Sequence, residues 1–276
     1  MSPRISNRQL GEIEMRITEV ERRILKTLLF FKLLKTDQLR RMFFADGHAS
    51  LQASKTHTTK ILRRLKAYGL IDHLAQQYIL GCYGPQQLIW HLTEAGYRLL
   101  TLDTEPEDKR RRFVEPTTSS VRHTIAVAEC HLQFSEICKA EKQLSINRME
   151  MEPDCWRVYQ KDGKTISLRP DLYAETLCGE YRDRWFIEMD LDTESTHVVI
   201  EKCRRYHQYY LTNKEQLATG KFPVVMWIVP SERRKQNIVS AIKQTFGDRY
   251  VHMFIVITPE RLHDILLNGV KKEDLC

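Results

Sequence analysis

Apolar residues recur at helical spacing over Val20, Ile24 and Leu28, with Leu25 and Leu29 beside them, and predict an amphipathic helix from Thr18 to about Phe31. Thr36-Asp37 supplies a helix start for a short second helix through Phe44, and Asp46-Gly-His-Ala-Ser50 breaks it. A third helix is expected from about Ala53 to Tyr68, closed by Gly69, with Ile61, Leu65 and Tyr68 buried. Leu70-Ile-Asp72 and two strand-like runs follow, Gln77 to Tyr83 and Gln87 to Leu92, joined through Gly84-Pro85. A further helix then opens at Thr93.

The second half alternates between the two periods. A helix is expected from about Ser119 to Glu141, with His123, Val127, Cys130, Phe134 and Ile137 on one stripe. Strand-like pieces come next at Ser145 to Met151, Cys155 to Tyr159, Leu172 to Leu177 and Trp185 to Asp190, then a long helix over Ser195 to Leu211. Strand Phe222 to Val229, helix Ser231 to Phe246, strand Val251 to Ile257 and a last helix from Pro259 to Leu267 complete the reading. Between the halves, Thr101 to Ser120 is rich in charge, Pro and Ser/Thr and has little to bury, so it reads as a connection. Its Lys109-Arg-Arg-Arg112 run is better explained as a solvated turn than as a phosphate contact.

The expected class is α/β (α+β). Residues 16–100 have the helix, hairpin and closing-helix order of a winged helix-turn-helix, 101–118 form the linker, and 119–276 form a mixed sheet flanked by helices. In a winged helix the third helix enters the major groove, with the hairpin tip on the backbone. Its outward side here carries Lys55, His57, Thr59, Lys60, Arg63 and Lys66, a polar and basic surface suited to duplex DNA and equally to plain solvation.

Composition narrows the alternatives. The chain has 276 residues, 42% apolar and 29% charged, enough for two domains with their own cores. No apolar run approaches the roughly 20 residues that span a bilayer, and the first residues lack a signal-peptide layout, so a cytoplasmic protein is expected. The net charge of +7 and pI near 9.0 favour nucleic acid as a partner without proving it. Seven scattered cysteines without a Cys-x-x-Cys pair argue against structural zinc and a disulfide framework. There is no Gly-x-x-x-x-Gly-Lys-Ser/Thr loop, no Gly-x-Gly-x-x-Gly and no histidine cluster.

The chemistry-bearing stretch is Arg169-Pro-Asp171, then Glu188-Met-Asp190, then the helix carrying Lys202, Arg205, Tyr206 and Tyr209. Hydrolysis of a phosphodiester uses a hard cation, which wants carboxylate oxygens. Asp171 begins one strand and Glu188 lies toward the end of the next, so hairpin pairing brings both to one edge. Strand alternation points Glu188 and Asp190 the same way. Lys202, Tyr206 and Tyr209 share one helix face, where a lysine offsets developing phosphorane charge and a tyrosine stacks on a base or attacks phosphorus. Against this stand plain readings: Asp171 as a turn cap, the acids as surface pairs with Arg184, Arg204 or Arg205, and the tyrosines as packing residues.

Pro170-Asp171, Glu188-x-Asp190 and Lys202 resemble the PD-(D/E)xK nuclease motif. With Arg122-His123, Phe186 to Glu194 and Lys202-Cys-Arg-Arg-Tyr206 after a winged helix, the chain resembles the replication-relaxation proteins of plasmids and the MobC-type relaxases, from its first helix to the strand near Val229. The resemblance implies a restriction-endonuclease-like second domain in a relaxase or nickase that recognises the origin of a plasmid or integrative element in double-stranded DNA. Asp171, Glu188 and Asp190 would hold Mg²⁺ or Mn²⁺, with Lys202 and Tyr206 completing the catalytic set and Arg205 touching DNA. A second copy of the chain and conjugation or replication machinery would be further partners. The chain departs from the motif where lysine normally follows the acid by two residues, because Asp190 stands there. Either Lys202 takes that role from the helix, or the protein is a non-enzymatic regulator or replication protein whose second domain does not cut.

Overall fold

The computed structural model describes residues 5–75, 88–102, 116–271 and 274–276. The expected strand Gln77 to Tyr83, the Gly84-Pro85 tip and Lys109 to Arg112 lie outside them. The chain is mixed α/β, as the alternation of periods requires, and divides into two compact units, Met1–Leu132 and Gln133–Cys276. Among the described residues no helix is long and apolar enough to cross a membrane.

The first unit runs α1 (Asn7–Glu14), α2 (Glu19–Phe31), β1 (Leu34–Lys35), α3 (Thr36–Phe44), α4 (Leu51–Ala67), β2 (Ile71–His73), β3 (Ile89–Leu92) and α5 (Glu94–Leu100). The strands form an antiparallel sheet in the order β1-β3-β2, with Leu34 opposite Trp90 and Asp72 opposite His91. Thr18 opens α2 with a reciprocal cap: its hydroxyl accepts from the Glu21 amide while the Glu21 carboxylate accepts from the Thr18 amide. Glu21 is fully buried, and Arg64 of α4 donates to both of its oxygens, which fixes α4 against α2. Burial alone would raise the Glu21 pKa, but the Arg64 and Thr18 hydrogen bonds outweigh it and hold the carboxyl below its usual range. Gly69 closes α4 at φ +70, a backbone state that only glycine adopts freely. Gly96 is needed for space, since a Cβ there would meet the Leu70 carbonyl oxygen at 2.1 Å.

Sequence periodicity missed α1 and β1, which are short, and misplaced the buried stripe of α4. The buried residues there are Ser54, Thr58, Leu62 and Leu65, while Ile61 and Tyr68 are only half-buried. Two hydroxyl residues go inside because each finds a carbonyl: Ser54 donates to Phe44 O at 2.5 Å and Thr58 to Ser54 O at 2.8 Å.

Helix α6 (Thr118–Ala140) contains the division between the units. The second unit continues with β4 (Leu144–Met151), β5 (Arg157–Lys161), β6 (Lys164–Leu168), β7 (Leu172–Cys178), β8 (Tyr181–Met189), α7 (Thr196–Tyr210), α8 (Lys214–Thr219), β9 (Val224–Ile228), α9 (Glu232–Tyr250), β10 (Phe254–Ile257) and α10 (Leu262–Asn268). Five strands make one sheet in the order β10-β9-β8-β7-β4, in which β8, β9 and β10 run parallel and β7 is antiparallel to both β8 and β4. Strands β5 and β6 form a separate hairpin, and β6 and α8 were not foreseen from periodicity. The core joins Tyr173 and Phe186 of the sheet to Val199, Cys203 and Tyr206 of α7 and Ile238 and Ile242 of α9. This packing sets α7 over the carboxyl end of β8.

Candidate nucleic-acid interface and carboxylate site

On α4, Gln52, Lys55, Thr56, Thr59, Lys60 and Arg63 line one continuous surface, at the spacing that stacks side chains along a single helix face. Lys55, Lys60 and Arg63 are exposed and have no ion-pair partner among the described residues. The other expected contacts are engaged. Lys66 pairs with Asp72 at 2.7 Å, Thr59 donates to the Lys55 carbonyl at 2.9 Å, and the His57 ring meets Phe44 edge-on at 4.9 Å. The uncommitted positive charge is therefore concentrated on three side chains over about two and a half turns.

In the second unit the β7/β8 register, Leu172 opposite Ile187, carries on by one residue and sets Asp171 opposite Glu188. The Asp171 amide donates to Ile187 O at 3.1 Å, and its Oδ2 accepts from the Met189 amide at 2.7 Å. Both acids are recessed, Asp171 at 7% exposure and Glu188 at 2%. Helix α7 closes over them. Tyr206 donates its hydroxyl to Glu188 Oε1 at 2.6 Å, and Lys202 Nζ stands 3.6 Å from Glu188 Oε2 and 3.4 Å from Glu194 Oε2. Burial pulls the Lys202 pKa down, but Glu188, Asp171 and Glu194 outweigh it and raise it above the usual lysine value, so the ammonium stays charged. Burial first, and then the negative Glu188, drives the Tyr206 pKa well above that of an ordinary phenol. Tyr206 is fully buried, and its hydroxyl is committed to Glu188.

Asp190 does not join this pair. It lies one residue past β8, and Arg234 of α9 binds its carboxylate through both oxygens, Nε to Oδ2 at 2.6 Å and Nη2 to Oδ1 at 3.0 Å. Arg234 also donates to Glu194 O at 2.7 Å, pinning the loop that leads from β8 into α7. Among the described residues no group of three or more His, Cys, Asp or Glu is placed to hold a metal ion. The donor chemistry of Asp171 and Glu188 suits a hard divalent cation as a two-carboxylate pair, whereas Asp190, neutralised by a guanidinium, does not fit as a third ligand.

The arginines weighed as partners of the acids are used elsewhere: Arg184 binds Glu175 at 2.8 Å and Arg204 binds Glu201. Arg205 is exposed on α7, and Tyr209 donates to Glu215 at 2.9 Å, away from the pair. The residues that sequence reasoning missed are Arg234 and Glu194. Arg234 is 44 positions from Asp190, and no local spacing announces it.

Searches of the curated proteins and of the solved structures returned no match to the chain. The sequence model of the replication-relaxation family matches residues 25–225, from α2 through the start of β9. That span includes the α4 surface, Asp171, Glu188 and Lys202 and covers well over half of the sequence, so the chain belongs to the replication-relaxation family.

Proposed function

We propose that the protein binds duplex DNA in plasmid or mobile-element replication or mobilisation, the role to which its family points, and that the first unit is a winged helix with α4 as its groove-reading helix. The observation that carries this is the α4 face, where Lys55, Lys60 and Arg63 stand exposed without carboxylate partners among the described residues. The order α2-β1-α3-α4-β2-β3 with a β1-β3-β2 sheet supports it. Cations held free of internal ion pairs bind phosphate without first breaking a native contact, and each phosphate neutralised releases counterions. The test is a gel-shift series on a duplex carrying the cognate origin. The wild-type chain binds in a salt-dependent way, and Lys55→Ala/Lys60→Ala/Arg63→Ala binds far more weakly. Equal affinity of the two proteins refutes the reading.

A second reading, strand cutting in the second unit, is favoured by one observation: Lys202 lies 3.6 Å from Glu188 beside Asp171, the residue types that phosphodiester hydrolysis uses. With the separate β5/β6 hairpin and the short α8 set aside, the order α6-β4-β7-β8-α7-β9 fits the restriction-endonuclease-like core. Mg²⁺ or Mn²⁺, when bound at Asp171 and Glu188, would offset phosphate charge and activate water. Lys202 would offset charge on the reacting phosphate, and Tyr206 would keep Glu188 oriented. Supercoiled plasmid bearing the origin, incubated with the protein and Mg²⁺ or Mn²⁺, should yield open circles that Asp171→Ala and Glu188→Ala do not produce. Absence of open circles with the wild-type protein removes the cutting reading and leaves the DNA-binding one intact.

A further inference from the structure

Arg169 is exposed two residues before Asp171, and its guanidinium carbon sits 4.3 Å from the centroid of the Trp156 ring. No other interaction holds its head group among the described residues: it has neither an ion pair nor a hydrogen bond. Trp156 is fixed by its surroundings. The neighbouring Cys155 thiol donates to Pro170 O at 3.0 Å, which ties the Trp156 turn to the Arg169–Asp171 segment, and the Trp156 amide donates to Pro153 O at 3.0 Å. The ring itself packs half-buried against the core of the second unit.

A guanidinium stacked on an indole is an arginine already placed for binding, because the stack removes rotamer freedom while leaving one planar face and the N–H edges open. The open face accepts a nucleobase, and the edges accept phosphate oxygens. A base inside a duplex has both faces covered by its neighbours, so only an unpaired nucleotide presents the surface this platform needs.

We propose that the Arg169–Trp156 pair is a binding site for an unpaired nucleotide of single-stranded DNA, with the base on the outer face of the guanidinium and the adjoining phosphate on its edge. The second unit then holds single strands while α4 holds duplex. This stands whether or not the second unit cuts, and it does not depend on the α4 reading.

Intrinsic fluorescence tests it with the full chain and a twelve-nucleotide oligo-dT. Trp90, Trp185 and Trp227 are buried, so a change on binding reports Trp156, the fourth tryptophan. The wild-type protein should show a saturable change with oligo-dT. Arg169→Ala should weaken binding about tenfold or more, as loss of one stacking residue does. Arg169→Lys, which keeps the charge and loses the plane, should recover only part of this. Trp156→Phe should abolish the fluorescence change, with weakened binding read by anisotropy of a labelled oligo-dT. Lys60→Ala/Arg63→Ala should lose duplex binding and keep oligo-dT binding. The proposal is overturned if Arg169→Ala binds oligo-dT within twofold of wild type, or if Lys60→Ala/Arg63→Ala loses both ligands together. Should Arg169→Ala lower the thermal midpoint, Arg169→Gln takes its place under the same criterion.

Discussion

The α4 face of the first unit and the carboxylate pair of the second are both charged, yet the fold treats them in opposite ways. Lys55, Lys60 and Arg63 are exposed and, among the described residues, uncommitted, whereas Asp171, Glu188 and Asp190 are buried and bound by an amide, a phenol, a lysine and an arginine. Exposed charges cost the fold little and remain available to a ligand. Buried charges persist only because partners compensate them, so the fold depends on each partner. Charge in a sequence is thus evidence for binding at the first surface and, until its partners are known, ambiguous at the second.

The sharpest way to break this contrast is at Arg234. Arg234→Ala leaves the Asp190 carboxylate buried without its guanidinium and should cost about 3–5 kcal/mol, read by urea unfolding. A loss below about 1 kcal/mol would show that the pair is dispensable and that Asp190 is available for another role.

Acid offers a second test, because the first unit also has a half-buried charge-sensitive group. His131 packs edge-on against Phe31 with ring centroids 4.9 Å apart, and burial lowers its pKa from 6.5 to about 4. The unfolded chain takes up this proton near pH 6.5 and the folded chain only near 4. The stability is therefore fully present above pH 6.5 and falls as pH drops through that window, by about 3 kcal/mol. Thermal melting from pH 7 to pH 4.5 should show the loss, and His131→Phe should flatten it.

Tyr206→Phe is milder. It removes the donor to buried Glu188 and should cost about 1–3 kcal/mol, measured by urea unfolding. A nicking activity that survives this change would confirm that the phenol orients and does not attack.

The smallest stability effect belongs to the α4 face. Lys55→Ala, Lys60→Ala and Arg63→Ala should each change stability by less than about 0.5 kcal/mol. Each should nevertheless lower the slope of log affinity against log salt on duplex DNA by about 0.9. Large stability losses here would mean that these cations hold the fold together.

Periodicity by itself determined most elements of this protein. It located α2 through α7, α9, α10, β3 to β5 and β7 to β10, because a stripe every three to four residues, or every second one, is a local property of the chain. It also placed Lys55, Lys60 and Arg63 outward and Asp171 beside Glu188, since outward charge and hairpin register follow from short-range rules. Tertiary structure alone decided which charges have partners. Asp190 meets Arg234 across 44 residues, Lys66 turns to Asp72, Ser54 and Thr58 go inside, and Tyr206 is sealed against Glu188. Partner choice depends on which distant groups are desolvated together when helices close on the sheet, and no spacing along the chain encodes that.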